Sequence, residues 1–205
     1  MRGQRQGVAQ MRSSLNPACD CRASLVAELM RRPAAAEYAT DPLRPLLASL
    51  IAGRACGAGV LPTRLGLEPP DFTALWDHYF PGPPLSLEAG RCQDLPELDD
   101  LIDLLLSYRA GKSQAEGWVA RLVAHGCAGR DHLWQDLGLA DRNELSLLME
   151  TAFPSLAALN RSDMKWKKLI YRHYCQRDGL YLCPAPSCGA CADYALCFGP
   201  EDQNT

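Results

Sequence analysis

The chain has 205 residues, 47% of them apolar, enough to fill the core of one domain with a small appendage. Its formal net charge is −3, so no global positive field draws in nucleic acid or an anionic membrane surface, and any electrostatic function has to be local. No run reaches the roughly 18 apolar residues of a membrane span. The first residues, MRGQRQGVAQMRSS, hold no apolar core of a secretory leader, so a cytoplasmic location is expected. In that compartment thiols stay reduced, and the 10 cysteines point to metal ligation rather than a disulfide scaffold.

Residues 1–22 are polar and lack apolar periodicity; they read as a loose tail, with Cys19 and Cys21 as stray thiols at its end. A helical domain is expected over 23–178. Leu25, Val26, Leu29 and Met30 recur at helix spacing. Asp41 before Pro42 reads as a capping carboxylate and a first-turn proline, opening a helix with Leu43, Leu46, Leu47, Leu50 and Ile51. Gly57 and Gly59 end it. Pro69 and Pro70 introduce Phe72, Leu75, Trp76 and Tyr79, and PGPP at 81–84 breaks that segment.

Leu98, Leu101, Ile102 and Leu105 line one side of a segment over 95–108, with Glu97, Asp99, Asp100 and Asp103 on the other. Ser113 with Glu116 predicts a capping box before Trp118, Val119, Leu122 and Val123, and Gly126 predicts the stop. Asp141 with Glu144 repeats the device before Leu145, Leu148 and Met149. A last helix is expected over 163–177, with Trp166, Ile170 and Tyr174 on one face. No period-2 alternation competes with these stripes, so the fold class is all-α: an irregular helical bundle followed by a C-terminal cysteine-rich, cluster-binding loop over 179–205.

Two features carry chemistry. Residues 161–177 hold Arg161, Lys165, Lys167, Lys168, Arg172 and Arg177 against the single acid Asp163, a local balance of 6 − 1 = +5 in an acidic chain. Directly downstream, CPAPSCGACADYALC places Cys183, Cys188, Cys191 and Cys197 in a Cys-x4-Cys-x2-Cys-x5-Cys arrangement. Thiolates are the metal-binding form of cysteine, and a cationic neighbourhood favours them. Structural zinc sites usually present two separated knuckles, whereas this loop has one tight pair flanked by single cysteines. The spacing therefore favours an iron–sulfur cluster over zinc, although thiolates bind both. Lys165, Lys167, Lys168 and Arg172 could offset the charge of such a centre and attract an oxyanion. His173, Cys175 and Asp193 are further candidate ligands; a solvated helix histidine and a buried thiol are the plainer readings of the first two. Cys56, Cys92 and Cys127 read as core or incidental, and His78, His125 and His132 as ordinary hydrogen-bonding histidines.

The run MKWKKLIYRHYCQRDGLYLCPAPSCGACADYALCFG at 164–199 resembles the C-terminal signature of the NifQ family of nitrogen-fixation proteins. HLWQDLGL at 132–139, NELSLLMETAFPSLAALN after it, GAGVLPTRLGL at 57–67 and HYFPG at 78–82 are similar to other blocks of that family, in the same order. The resemblance implies an iron–sulfur molybdoprotein that donates molybdenum to assembly of the nitrogenase iron–molybdenum cofactor. It also implies a [4Fe-4S]-type or molybdenum–iron–sulfur cluster on the four loop cysteines. The implied partners are the cofactor scaffold complex, the nitrogenase iron protein, and molybdate or a molybdenum storage source.

A metal carrier rather than an enzyme is expected: no Ser-His-Asp set, phosphate-binding glycine loop or nucleic-acid motif is present. The alternatives are a zinc-stabilised interaction module and a simple iron–sulfur electron carrier.

Overall fold

The computed structural model describes residues 17–87, 90 and 94–177. Among them are ten α-helices and no strand, as the 3.6-residue periodicity predicts. In chain order these are α1 (Pro17–Arg31), α2 (Ala36–Ala39), α3 (Arg44–Ala55), α4 (Pro69–Tyr79), α5 (Leu98–Ser107), α6 (Ala115–Cys127), α7 (Leu133–Leu137), α8 (Arg142–Ala152), α9 (Pro154–Ala157) and α10 (Trp166–Arg177).

Helix α3 sits at the centre. Its sequence RPLLASLIAGRA is apolar on every side, and Leu47, Ala48, Leu50, Ile51 and Ala52 are completely buried. A helix with no polar face has to be enclosed. Helix α1 covers one side of it. α6 is the second interior helix, with Trp118, Val119, Ala120, Leu122, Val123 and Ala124 buried. α5 packs on α6 through Leu101, Ile102, Leu104 and Leu105, and its outer face keeps Asp99, Asp100 and Asp103 in water. α7 follows α6 and leads to α8, while α10 lies against α5.

Charged side chains inside this core are matched to backbone groups, as burial requires. Arg44, 6% exposed, donates to the carbonyls of Arg32 (2.7 Å) and Tyr79 (3.2 Å). Arg54 donates to Ala58 O and Gly59 O, closing the loop after α3. Glu116 accepts from the N–H groups of Gly111 (2.6 Å), Lys112 (2.8 Å) and Ser113 (3.0 Å). Ser113 Oγ accepts in turn from Ala115 N (3.2 Å), so the reciprocal cap expected before α6 is present. Asp141 caps α8 by accepting from Asn143 N and Glu144 N.

Four local readings change. α1 begins at Pro17, inside the segment read as tail, and its Leu29 is completely buried. Asp41 does not open α3 directly. Its carboxylate accepts from Leu43 N (2.8 Å) in a preceding turn and also receives the hydroxyls of Tyr79 and Ser113; the helix starts at Arg44, with Pro45 in its first turn. Gly126 does not stop α6, which continues to Cys127. A Cβ at Gly126 would lie 2.9 Å from Leu137 Cδ2 and 3.0 Å from Leu133 Cδ1, so the glycine lets α7 close onto α6. Finally, Cys21 and Cys56 form a disulfide between α1 and the end of α3, with Cα atoms 6.5 Å apart. Spacing along the chain cannot reveal such a pairing, since 35 positions separate the two residues.

Candidate metal centre and the helix that leads to it

The approach to the cysteine loop is built by α10. Trp166, Leu169 and Ile170 are buried and share the inner face of the helix; Met164, just before it, and Cys175, on the opposite side near its end, are buried as well. Trp166 Nε1 donates to Ser146 Oγ on α8 at 3.3 Å. Tyr171 donates its hydroxyl to Glu97 Oε1 (2.9 Å), Tyr174 donates to Asp100 Oδ2 (3.3 Å), and Arg177 lies 4.0 Å from Asp100. The acidic edge beside α5 is therefore partly used to hold α10. Burial is the first cause, and the Glu97 hydrogen bond the second, that raise the Tyr171 phenol well above its ordinary range; it stays a donor.

The turn entering α10 is held by two residues that the sequence reading passed over. Asn160 Oδ1 accepts from Met164 N (2.7 Å), and its Nδ2 donates to Met164 O (3.0 Å). Arg142 donates to Asp163 Oδ1 at 2.9 Å, and Asp163 takes φ 53° there. Asparagine and aspartate tolerate such turn conformations better than most residues.

The four basic candidates occupy different environments. Lys167 Nζ forms an ion pair with Asp136 of α7 and donates to Gly129 O at 2.8 Å. Asp136 is 1% exposed and fills the space beside Gly129, where a Cβ would lie 2.1 Å from Asp136 Cγ. Burial pushes the Asp136 carboxyl above the usual carboxylate range, and the Lys167 ammonium pulls in the opposite direction. Lys168 and Arg172 are exposed one helical turn apart, and Lys165 is partly exposed. They present positive charge to water.

His173 meets Tyr108 edge-on, with ring centroids 6.2 Å apart. Burial first, then Arg172, lowers its pKa and favours the neutral imidazole, the form that ligates metals. Cys175 is 4% exposed. Cys127 is also buried, and burial pushes its thiol up to about 12. His78 stacks on Tyr38 with centroids 4.5 Å apart, and His132 precedes α7, its N–H donating to Gln135 Oε1 at 3.1 Å. His125 fills the space against Gly66.

Cys183, Cys188, Cys191 and Cys197, with Cys92, lie outside the described residues. Among the described residues no group of three or more His, Cys, Asp or Glu side chains converges where a metal ion could sit. The donor chemistry of the loop, four soft sulfurs and no hard oxygen at the motif positions, suits iron–sulfur clusters and zinc. No described helix is long and apolar enough to cross a membrane.

The Asp136–Lys167 pair was missed on sequence, yet a signal was available. In LWQDL, Asp136 shares a helix face with Leu133, so an acid stands on an apolar stripe. Such a position needs a cationic or hydrogen-bonding partner somewhere else in the chain.

The family model described as NifQ matches residues 46–199. The chain is 38% identical over 160 residues to Protein NifQ of Azotobacter vinelandii, covering 71% of this chain and 82% of that protein. It is 40% identical over 149 residues to Protein NifQ of Rhodobacter capsulatus, covering 72% and 82%. It is 35% identical over 150 residues to Protein NifQ of Klebsiella pneumoniae, covering 69% and 90%. No solved structure matches the chain significantly.

Proposed function

The chain belongs to the NifQ family and so has a role in nitrogen fixation, and from that membership we propose that it is an iron–sulfur molybdoprotein that carries molybdenum to assembly of the nitrogenase iron–molybdenum cofactor. The supporting observation is the four-cysteine motif at the end of the matched span. Cys183, Cys188, Cys191 and Cys197 would hold an iron–sulfur cluster as thiolates, and such a cluster, when bound, would offer sulfide and thiolate ligands to a molybdenum cargo that arrives as molybdate or from a storage source.

The chain's own residues do the remaining work. Lys168 and Arg172 are exposed on α10 and offset the negative charge gathered on the thiolates. Lys165 adds to that local field. They favour approach of an oxyanion such as molybdate. Lys167 contributes differently, by fastening α10 to α7 through Asp136. The protein acts as a carrier in the cytoplasm and hands its cargo to the scaffold complex and the nitrogenase iron protein. His173 and Cys175 stand as auxiliary ligand candidates at the end of α10.

Metal and acid-labile sulfide analysis with electron paramagnetic resonance on anaerobically isolated protein tests this reading. Iron, sulfide and molybdenum together are expected, and Cys188→Ala abolishes the bound iron. Zinc alone in the wild type, or full iron and molybdenum in Cys188→Ala, overturns it.

A further inference from the structure

We propose that Cys21 and Cys56 form a reversible thiol–disulfide clamp that fixes the first half of α1 onto the end of α3 when oxidised and releases it when reduced. The pair is placed for this by the fold: the Cα atoms are 6.5 Å apart, within the range a disulfide spans. Cys21 is exposed and Cys56 only half-buried, so small thiols and disulfides reach the bond. Cys127 and Cys175, the unbridged cysteines among the described side chains, are buried. Accessible disulfides are the labile ones, and buried thiols the inert ones.

What the clamp controls follows from how α1 is anchored. Its second half is held without help from the disulfide. Leu29 is completely buried, and Arg32, just beyond the helix, donates to Pro83 O at 2.8 Å. In its first half Ala23 and Ser24 are exposed. Beyond the disulfide, the described anchor there is Arg22, whose guanidinium donates to Ser49 O (3.2 Å) and to Gly138 O. That contact runs through a narrow gap. A Cβ at Gly53 would lie 1.9 Å from Gly138 O and 3.0 Å from Arg22 Nη2, so α1, α3 and the end of α7 meet here with no slack. Opening the disulfide removes one of the two anchors named here and leaves the Arg22 contacts, including its ion pair with Glu144 at 3.9 Å, to hold the described side chains of that half.

Cys56 lies inside the span matched by the family model and Cys21 before it, so the clamp joins α1 to the family body. The inference stands apart from the metal-carrier reading, since neither cysteine is in the loop motif.

Oxidation by a small disulfide balances as follows. One cysteine thiolate attacks oxidised glutathione, forms a mixed disulfide and expels one glutathione thiolate. The second thiolate attacks the protein sulfur of that mixed disulfide and expels the other. Two electrons pass from the cysteine pair to glutathione, and the two thiol protons end on the two glutathione thiols. Excess reduced glutathione reverses both steps.

The full chain, isolated anaerobically, is equilibrated in buffers of reduced and oxidised glutathione, alkylated with a maleimide and mapped by peptide mass. Cys21 and Cys56 are expected to lose labelling together, as one cross-linked peptide pair, and to regain it together on reduction. In Cys56→Ser, Cys21 no longer enters that cross-link. Amide exchange over 17–24 is about tenfold faster in the reduced protein, while exchange in the second half of α1 changes little. Independent labelling of the two cysteines at every glutathione ratio, or equal exchange over 17–24 in both states, overturns the proposal. Should a serine variant fail to fold, the wild-type labelling and exchange measurements still decide.

Discussion

Helices α3 and α10 are both 12 residues long and both carry cationic side chains, yet the fold uses them in opposite ways. In α3 the arginines are sunk in the core. Arg44 and Arg54 spend their guanidinium groups on backbone carbonyls of neighbouring segments, and the apolar residues between them are enclosed on every side. In α10 a single lysine, Lys167, is treated that way, by Asp136 and Gly129 O. Lys168 is exposed at the surface. A count of charges therefore says little about what a helix does. A cation whose donors are used by the fold is part of the framework, whereas one at the surface contributes field that a ligand can feel.

The comparison is tested most severely at α3. Leu50 is completely buried in a helix with no solvent side, so Leu50→Ala leaves a cavity that its neighbours cannot collapse to fill. A loss of about 3–4 kcal/mol is expected in denaturant unfolding. A loss below about 1 kcal/mol would mean that α3 is not the centre of the molecule.

Next in size is the contrast within α10. Lys167→Met strands the Asp136 carboxylate, 1% exposed, without its cation, and about 3 kcal/mol of stability is lost. Removing both charges, in Lys167→Met with Asp136→Asn, recovers roughly half of that loss, because the penalty comes from the abandoned charge. Lys168→Met, one position along on the exposed side, changes stability by less than about 0.5 kcal/mol. Equal losses at Lys167 and Lys168 would erase the distinction between framework and surface cations.

These pairs also mark the boundary of what sequence reading captures. Periodicity is local, so the stripe of Leu101, Ile102 and Leu105 in α5 and the all-round apolar run of α3 were both legible. Caps are local too: Asp141 and the Ser113–Glu116 pair act as their spacing implies. The cysteine motif at 183–197 is local in the same sense, but it lies outside the described residues. What escaped was long-range. Asp136 and Lys167 are 31 positions apart, Cys21 and Cys56 are 35, and Arg22 reaches Gly138 across 116. Nothing in the period of a helix encodes which distant residue will face it. Gly126 fails for a related reason. A glycine near a helix end suggests a stop, but here its missing side chain serves the neighbouring helix, a requirement that exists only once α7 has packed.

The surface field of α10 gives a smaller and more functional test. Lys168→Gln with Arg172→Gln should leave the unfolding midpoint nearly unchanged, since exposed charges contribute little to stability. Molybdate uptake by the iron-loaded protein should fall several-fold at low salt, and the gap between variant and wild type should close as ionic strength rises. A midpoint that drops sharply would put these two residues in the framework with Lys167.

The smallest effect is in pH, and it separates the helical body from α10 by way of their histidines. Burial lowers the pKa of both His125 on α6 and His173 on α10. In the unfolded chain each returns to about 6.5. As pH falls through that value the unfolded state takes up protons that the folded state resists, so stability declines below it and is level above. The decline runs from the unfolded value down to the lowered folded one. His125 should account for more of it than His173. Its ring is packed where a Cβ at Gly66 would lie 2.0 Å from Cδ2, leaving a charged imidazole little room to recruit water, whereas His173 meets the edge of Tyr108 on a helix with an exposed face. Unfolding free energies measured between pH 5 and 7 should therefore lose more of the histidine-linked slope in His125→Gln than in His173→Gln. The reverse order would place the tighter histidine environment on α10.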